Sequence, residues 1–140
     1  MIKKGWEHYS HTADMGIRGF GATKEDAFAQ AALAMIATSI DPQTIGCDRQ
    51  VEIACEGDDD ELLFIAWLNH IIYEMDVRKM VFGRFEAAIT GRQLTGRIWG
   101  EKLDLEKHKP VVEIKGATYS DLKVRQDKNG TWTAQCVVDI

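Results

Sequence analysis

The sequence predicts an α+β fold in which two helices pack on one face of a mostly antiparallel β-sheet. Two segments carry apolar residues at helical spacing, and they are interspersed with segments whose apolar and polar residues alternate with period two. The strand-like segments after the second helix are separated by glycine-containing turn signals, which favour hairpins and therefore antiparallel pairing. With 140 residues and 45% hydrophobic side chains, we expect a single domain over residues 1–140 with a buried core.

The first helix is predicted over residues 23–40. Thr23, followed three positions later by Asp26, is typical of a capped helix start, where acidic side chains also meet the positive end of the helix dipole. Pro42 ends the segment because proline cannot continue the backbone hydrogen-bond ladder. The predicted buried stripe of this helix consists of Phe28, Ala31, Met35 and Ile36.

A strand and the second helix follow. Residues 51–56 alternate apolar and polar side chains, which predicts a strand with one buried face. The chain turns at Gly57, and a second helix is predicted to run to about residue 76, with so little polar surface over residues 62–72 that it must be covered on several sides. The acidic run at residues 58–61 lacks the spacing of a calcium-binding loop, so we interpret it as a helix start stabilised by negative charge.

The C-terminal half is predicted to be rich in strands. Residues 80–89 and 94–99 form a predicted hairpin that turns at Gly91, and Gly83 indicates a bulge in the first of these strands. The dipeptide at residues 129–130 is Asn-Gly, which favours a tight turn with positive backbone φ angles. Further strands are predicted at residues 111–115, 122–125 and 132–140.

The composition restricts the classes of partner. The net charge is −5, and no run of basic residues is present, which disfavours tight nucleic-acid binding and fits a cation or a basic protein partner better. No apolar run reaches the ~20 residues that cross a bilayer. Residues 1–6 do not lead into the apolar stretch of a signal peptide, so we expect a cytoplasmic protein without membrane contact. Cys47, Cys55 and Cys136 have no CxxC spacing and are interpreted as reduced core residues.

The candidate functional segment is residues 9–17, which contain a histidine, hydroxyl groups and Asp14 just before the first helix. The chain ends on Asp139 and Ile140. If the last strand pairs near Asp14, two side-chain carboxylates and a terminal carboxylate would converge, and a hard divalent cation prefers such oxygen ligands. Alternatively, Asp14 is a turn residue and Asp139 merely ends a strand; spacing alone favours this alternative slightly.

The four histidines invite separate interpretations. His11, three residues before Asp14, could orient a metal ligand, act as a general base, or only form a hydrogen bond within a turn. His8 has the pattern of an exposed strand residue. His70 is interpreted as a helix-face residue with a hydrogen-bond partner, and His108 as a solvated loop residue that lies close to Glu101 in sequence.

Motifs of nucleophilic or nucleotide-binding enzymes are missing from the sequence. Ser120 could be drawn with His11 and an aspartate as a hydrolase triad, but no GxSxG motif surrounds a serine. Neither a GxxxxGK[ST] nor a GxGxxG phosphate-binding motif occurs. The sequence therefore favours a protein that is not an enzyme by itself.

At these residues the chain resembles the archease family. The matching parts are residues 9–17 with their HTAD core, residues 21–28, residues 63–73, residues 100–104 with His108, residues 113–119, and residues 137–140. They occur in the family's order along nearly the whole chain, and the pairing of HTAD near the start with a terminal Asp-Ile is the most specific of them. One departure is Ser120, where members of the family often have histidine.

The resemblance implies a metal-binding protein cofactor rather than an enzyme. Such a cofactor activates the GTP-dependent RNA-splicing ligase RtcB by promoting guanylylation of the ligase and multiple turnover in tRNA splicing and RNA repair. The implied metal ligands are Asp14, Asp139 and Ile140, with His11 and Thr12 behind them. The implied metal is a divalent cation, calcium in the first place, with magnesium or manganese as alternatives.

Two other functions stay open at this point. One is a metal-dependent phosphoester hydrolase that uses Asp14, Asp139 and His11, which would turn over a phosphodiester on its own. The other is a chaperone-like interaction module in which the carboxylates are only structural, so that a chelator would change neither stability nor activity.

Overall fold

The computed structural model describes residues 1–12 and 14–140; Ala13, part of the HTAD motif, lies outside the described residues. A short 3₁₀ helix at Pro42–Thr44 accompanies the main elements. In chain order these are β1 (Gly5–His11), β2 (Asp14–Gly21), α1 (Lys24–Ala37), β3 (Arg49–Glu56), α2 (Asp60–Arg78), β4 (Met80–Thr90), β5 (Gln93–Lys102), α3 (Leu105–His108), β6 (Gly116–Ala117), β7 (Lys123–Gln126) and β8 (Trp132–Asp139).

Over the described ranges, the strands form two sheets in which every pair is antiparallel. The first sheet has the order β1-β2-β8-β6, with β7 also paired to β8, and the second has the order β3-β5-β4. The predicted α+β class and antiparallel pairing are confirmed. The strands are shared between two sheets rather than one, and α1 contacts β2 and β8 of the first sheet and β4 of the second.

The start of α1 and its seat on the first sheet follow from local chemistry. Thr23 caps the helix as predicted, since its Oγ1 accepts a hydrogen bond from the amide of Asp26 at 3.0 Å. Gly19 of β2 lets the helix approach closely, because a Cβ there would lie 2.3 Å from the carbonyl oxygen of Ala27 and the amide nitrogen of Ala31. The buried residues of α1 are Ala27, Phe28, Ala31, Ala32, Ala34, Met35 and Ile36.

The second helix is covered on several sides, as its apolar sequence predicts. It contacts strands of both sheets, and Trp67 is completely buried. The indole nitrogen of Trp67 donates a hydrogen bond to the carbonyl of Phe28 at 3.0 Å, which joins the two helices. The acidic run before α2 is a helix start as interpreted, because Asp59 accepts from the amide of Leu62 at 2.8 Å and Asp60 pairs with Lys24.

The C-terminal strands agree with the prediction except at one segment. The bulge at Gly83 is confirmed by a register shift between Phe82 and Arg84 in the β4–β5 pair. The strand predicted at residues 111–115 is wrong, and β6 covers only Gly116–Ala117. The reason is that the backbone of residues 111–112 is bonded to the end of α1, where Ser39 accepts from the amide of Val111 and its hydroxyl donates to the next carbonyl.

The cysteines are free thiols with different exposure. Cys136 is buried in the core, and this burial raises its pKa to about 12; Cys55 is half-buried, and burial raises its pKa to about 11. Cys47 is exposed, so the prediction of a core position is wrong for that residue. Among the described residues, no helix is long and apolar enough to cross a membrane.

Candidate metal centre

The pairing of β2 with β8 brings the two ends of the chain together. Asp14 begins β2 and pairs with His11 across the β1–β2 hairpin. Met15 pairs with Val138, and the next step of this antiparallel register sets Asp14 opposite Asp139. Directly opposed residues in antiparallel strands project to the same face. Two carboxylates that the sequence separates by most of its length therefore belong to neighbouring positions at one end of the first sheet.

The backbone around Asp139 is held from its other side as well. Gly116 of β6 pairs with Asp139, and the amide of Lys115 donates to the Asp139 carbonyl at 2.8 Å. The side chain of Asn69, on α2, then closes the outer edge of β6: its Oδ1 accepts from the Ala117 amide at 2.9 Å. Asp139 is thus part of a fixed sheet although its side chain is exposed.

The side chains alone do not complete a metal-binding set. Across residues 1–12 and 14–140, no three His, Cys, Asp or Glu side chains converge on a point that could hold a metal ion. The reason lies in the sheet geometry. His11, Asp14 and Asp139 form a row across β1, β2 and β8, and strands are ~4.8 Å apart, so the outer two members are separated by ~10 Å. Only the aspartates are adjacent.

His11 and Thr12 occupy the turn end of the hairpin. The Nδ1 atom of His11 is buried and has no hydrogen-bond partner among the described residues. A buried unpaired nitrogen at such a place is commonly completed by water or an ion. Thr12 is exposed and has a left-handed φ of 46°. Two carboxylates beside an unsatisfied imidazole nitrogen are donor types that fit a divalent cation.

A polar network covers the same face of the sheet beside these residues. The hydroxyl of Tyr9 donates to Oδ2 of Asp121 at 2.8 Å, and this bond holds the pKa of Asp121 below its usual range. Burial, followed by the contact with Asp121, raises the pKa of Tyr9. Arg18 stacks on the Tyr9 ring, 4.4 Å from its centre, and pairs with Glu7, whose pKa it lowers. The sequence did not indicate this network, because its members are far apart in the chain.

His108 is not the solvated loop residue that the sequence predicted. It is buried, with 3% of its surface exposed, and its Nδ1 accepts from the amide of Asp104 at 2.9 Å. Since Nδ1 is an acceptor, Nε2 carries the proton and donates to Glu101 at 2.7 Å. Lys107, the Gly46 amide and His108 together lower the pKa of Glu101 to about 2. These residues fasten the loop after β5.

The remaining histidines and Ser120 can also be placed. His8 is half-buried rather than exposed, and its Nε2 lies 2.7 Å from the carbonyl oxygen of Ala34 on α1. His70 is the expected helix-face residue, 3.5 Å from Glu74. Ser120 is exposed on the loop after β6, and no hydrogen bond joins it to His11 in the described part of the chain. The geometry of a hydrolase triad is not formed by these side chains.

Comparison with known proteins identifies the family. The model of the Archease protein family matches residues 6–140. The chain belongs to the archease family. "Protein archease" from Pyrococcus furiosus is 42% identical over 139 residues, covering 96% of this chain and 98% of the relative. "Protein archease" from Thermococcus gammatolerans is 37% identical, with the same coverage.

A solved structure supports the archease fold directly. The solution structure of Methanobacterium thermoautotrophicum protein 1598 superposes with a TM-score of 0.83 at 26% identity, covering 99% of this chain and 100% of that one. The resemblance inferred from HTAD and the terminal Asp-Ile is therefore confirmed at the level of family and fold.

Proposed function

We propose that this archease is a non-enzymatic, metal-binding protein cofactor of an RtcB-type RNA ligase. It binds one divalent cation through the carboxylates of Asp14 and Asp139 and the main-chain carboxylate of Ile140. It promotes guanylylation of the ligase and multiple turnover in tRNA splicing and RNA repair, in the cytoplasm. The observation that carries this proposal is the β2–β8 register, which sets Asp14 opposite Asp139 next to the terminal residue in a member of this family.

The donor set favours a hard cation. Two neighbouring carboxylates repel each other unless a cation lies between them, and the third anionic donor must come from Ile140, because no further acidic side chain joins them among the described residues. The side chain of Ile140 is partly buried against the core, which would hold its carboxylate in place. An all-oxygen set of this kind suits calcium best, with magnesium or manganese as alternatives. When bound, the cation would supply charge neutralisation toward a phosphate group.

The charge of the molecule supports a protein partner over a nucleic acid. The net charge is −5, so a basic protein surface is attracted to this chain and a phosphate backbone is repelled. Tight direct RNA binding and membrane contact are not part of the proposal. The cation would be presented to the partner at the exposed end of the sheet, since the side chain of Asp139 faces solvent.

The decisive experiment is RNA joining by a purified RtcB-type ligase over many turnovers, with and without this protein. Asp14→Ala and Asp139→Ala should each abolish most of the stimulation. Asp58→Ala is the matched control, because that side chain is 87% exposed and only 3.9 Å from its nearest cation, Arg92; it should stimulate like the wild-type protein. Full stimulation by both Asp14→Ala and Asp139→Ala would refute the metal-binding mechanism.

Two additions to the same experiment separate the alternative functions. A phosphodiester substrate incubated with this protein and a divalent cation, without ligase, should stay intact; turnover would favour the hydrolase. A chelator matched to spare the ligase's own metal, by titration against the ligase alone, should remove the stimulation. Stimulation that is insensitive to chelator would favour the chaperone-like module with structural carboxylates.

A further inference from the structure

One side chain crosses the first sheet beside the proposed metal site. Tyr9 of β1 pairs with Gly16 of β2, and its ring lies across that glycine: a Cβ on Gly16 would be 2.3 Å from Cζ of the ring. Beyond Gly16 the hydroxyl reaches Asp121, which is 112 positions later in the sequence and sits in the loop before β7. Tyr9 thus connects the edge strand of the sheet to a loop on the far side of β2.

Both ends of this connection are themselves fixed. Oδ2 of Asp121 also accepts from Nε2 of Gln135 at 3.0 Å, and Gln135 is a buried residue of β8. Oε1 of Gln135 accepts from Nε of Arg18 at 2.8 Å, and the guanidinium of Arg18 stacks on the Tyr9 ring. The four side chains of Tyr9, Asp121, Gln135 and Arg18 therefore form a closed circuit over β1, β2 and β8.

The circuit is adjacent to the proposed ligands on the same face of the sheet. Tyr9 pairs with Gly16, and Gly16 pairs with Val137, so these residues form one row across the three strands. The row of His11, Asp14 and Asp139 lies two residues further toward the hairpin end. Residues two apart in a strand project to the same face, ~6.6 Å from each other. The Tyr9 row is the nearest same-face row to the carboxylates.

We propose that Tyr9 is a positioning residue for the metal site, an inference that rests on the proposed function. Its bond to Asp121 holds the turn end of the β1–β2 hairpin against β8, so that Asp14 and Asp139 keep their opposed geometry before a cation arrives. Without this restraint, carboxylate repulsion acts on an edge strand that pairs with a strand on only one side. A site that is organised in advance binds its ligand more tightly, because less ordering has to accompany binding.

Tyr9→Phe tests the hydroxyl with little other change. Phenylalanine keeps the ring over Gly16 and the stacking of Arg18, and loses only the bond to Asp121. Tyr73→Phe is the matched control, since Tyr73 is 59% exposed on α2 and its hydroxyl donates no hydrogen bond to a described residue. Calorimetric titration with Ca²⁺ and with Mn²⁺ should show a dissociation constant about tenfold higher for Tyr9→Phe, the size typical of losing a group that supports metal ligands. The control should stay within about twofold.

A purely structural role for Tyr9 predicts different results in two further measurements. In the ligation experiment, saturating cation should restore full stimulation by Tyr9→Phe, because its ligands are intact, whereas Asp14→Ala should not be restored. In chelator, hydrogen exchange at the amides of Asp14 and Met15 should be faster in Tyr9→Phe than in the wild-type protein. Loss of stimulation that saturating cation does not restore would overturn the positioning role.

The outcomes also distinguish this inference from the proposed function. Equal dissociation constants for the wild-type protein and Tyr9→Phe would overturn the positioning role and leave the metal site standing. Unchanged amide exchange at Asp14 and Met15 would overturn it in the same way. A wild-type protein that binds neither cation would overturn the proposed function, and the positioning role with it.

Discussion

Removing one of the two opposed carboxylates should change stability in opposite directions without and with a cation. Asp14→Asn is the informative substitution, because among the described residues the Asp14 side chain makes no hydrogen bond or ion pair, so that the change removes charge and little else. In chelator the variant loses the repulsion from Asp139. In saturating calcium it loses the stabilisation that a bound cation gives the folded state.

The two magnitudes can be worked out separately. Directly opposed side chains are ~5 Å apart, and at that distance two unit charges in a water-like dielectric repel by about 0.8 kcal/mol. A cation at about one hundred times its dissociation constant stabilises the folded protein by about 2.7 kcal/mol. For a chain of this size each kcal/mol corresponds to about 3 °C in Tm. Asp14→Asn should therefore melt about 2–3 °C above the wild-type protein in chelator and about 5 °C or more below it in calcium.

Thermal unfolding followed by circular dichroism at low ionic strength measures both differences. Low salt is required because exposed charges are screened at higher ionic strength. Asp58→Asn is the control and should respond to calcium like the wild-type protein, since its side chain is 87% exposed and distant from any close ion pair. A Tm for Asp14→Asn that matches the wild-type value in chelator, together with an equal rise in calcium, would refute the opposed-carboxylate site.

Three further predictions concern other parts of the molecule. A peptide extension after Ile140 replaces its carboxylate by an amide, so calorimetric calcium affinity should fall at least about tenfold while Tm in chelator stays unchanged; unaltered affinity would exclude Ile140 as a ligand. Glu101→Gln should destabilise the protein at neutral pH, because the folded pKa of Glu101 is lowered to about 2; this stabilisation exists above the unfolded pKa and is lost as pH falls from about 4.5 toward 2. Urea unfolding at pH 7 and pH 3 should show the gap between wild type and variant narrowing, and a constant gap would contradict the role of the charge. Trp67→Phe leaves the Phe28 carbonyl without its donor, and urea unfolding should show a loss of about 1–3 kcal/mol or more; a loss below about 0.5 kcal/mol would mean that the bond between the helices contributes little.

Local sequence patterns were sufficient for most elements of secondary structure. The start of α1 at the Thr23 cap, the bulge at Gly83 and the β4–β5 hairpin all depend on interactions within a few residues, and each is found where it was predicted. The same holds for the acidic start of α2. The strand predicted at residues 111–115 was wrong because its backbone bonds go to the end of α1, a partner that lies about seventy residues earlier in the chain.

The candidate site shows the same division. The sequence by itself singled out residues 9–17 and the terminal Asp-Ile, and it placed the chain in its family. Only the tertiary structure decided that β2 pairs with β8 in the register that opposes Asp14 to Asp139. It also decided that Tyr9 meets Asp121. The physical reason is that caps and turns are encoded in short stretches of chain, whereas strand register depends on which apolar faces pack together across the whole core.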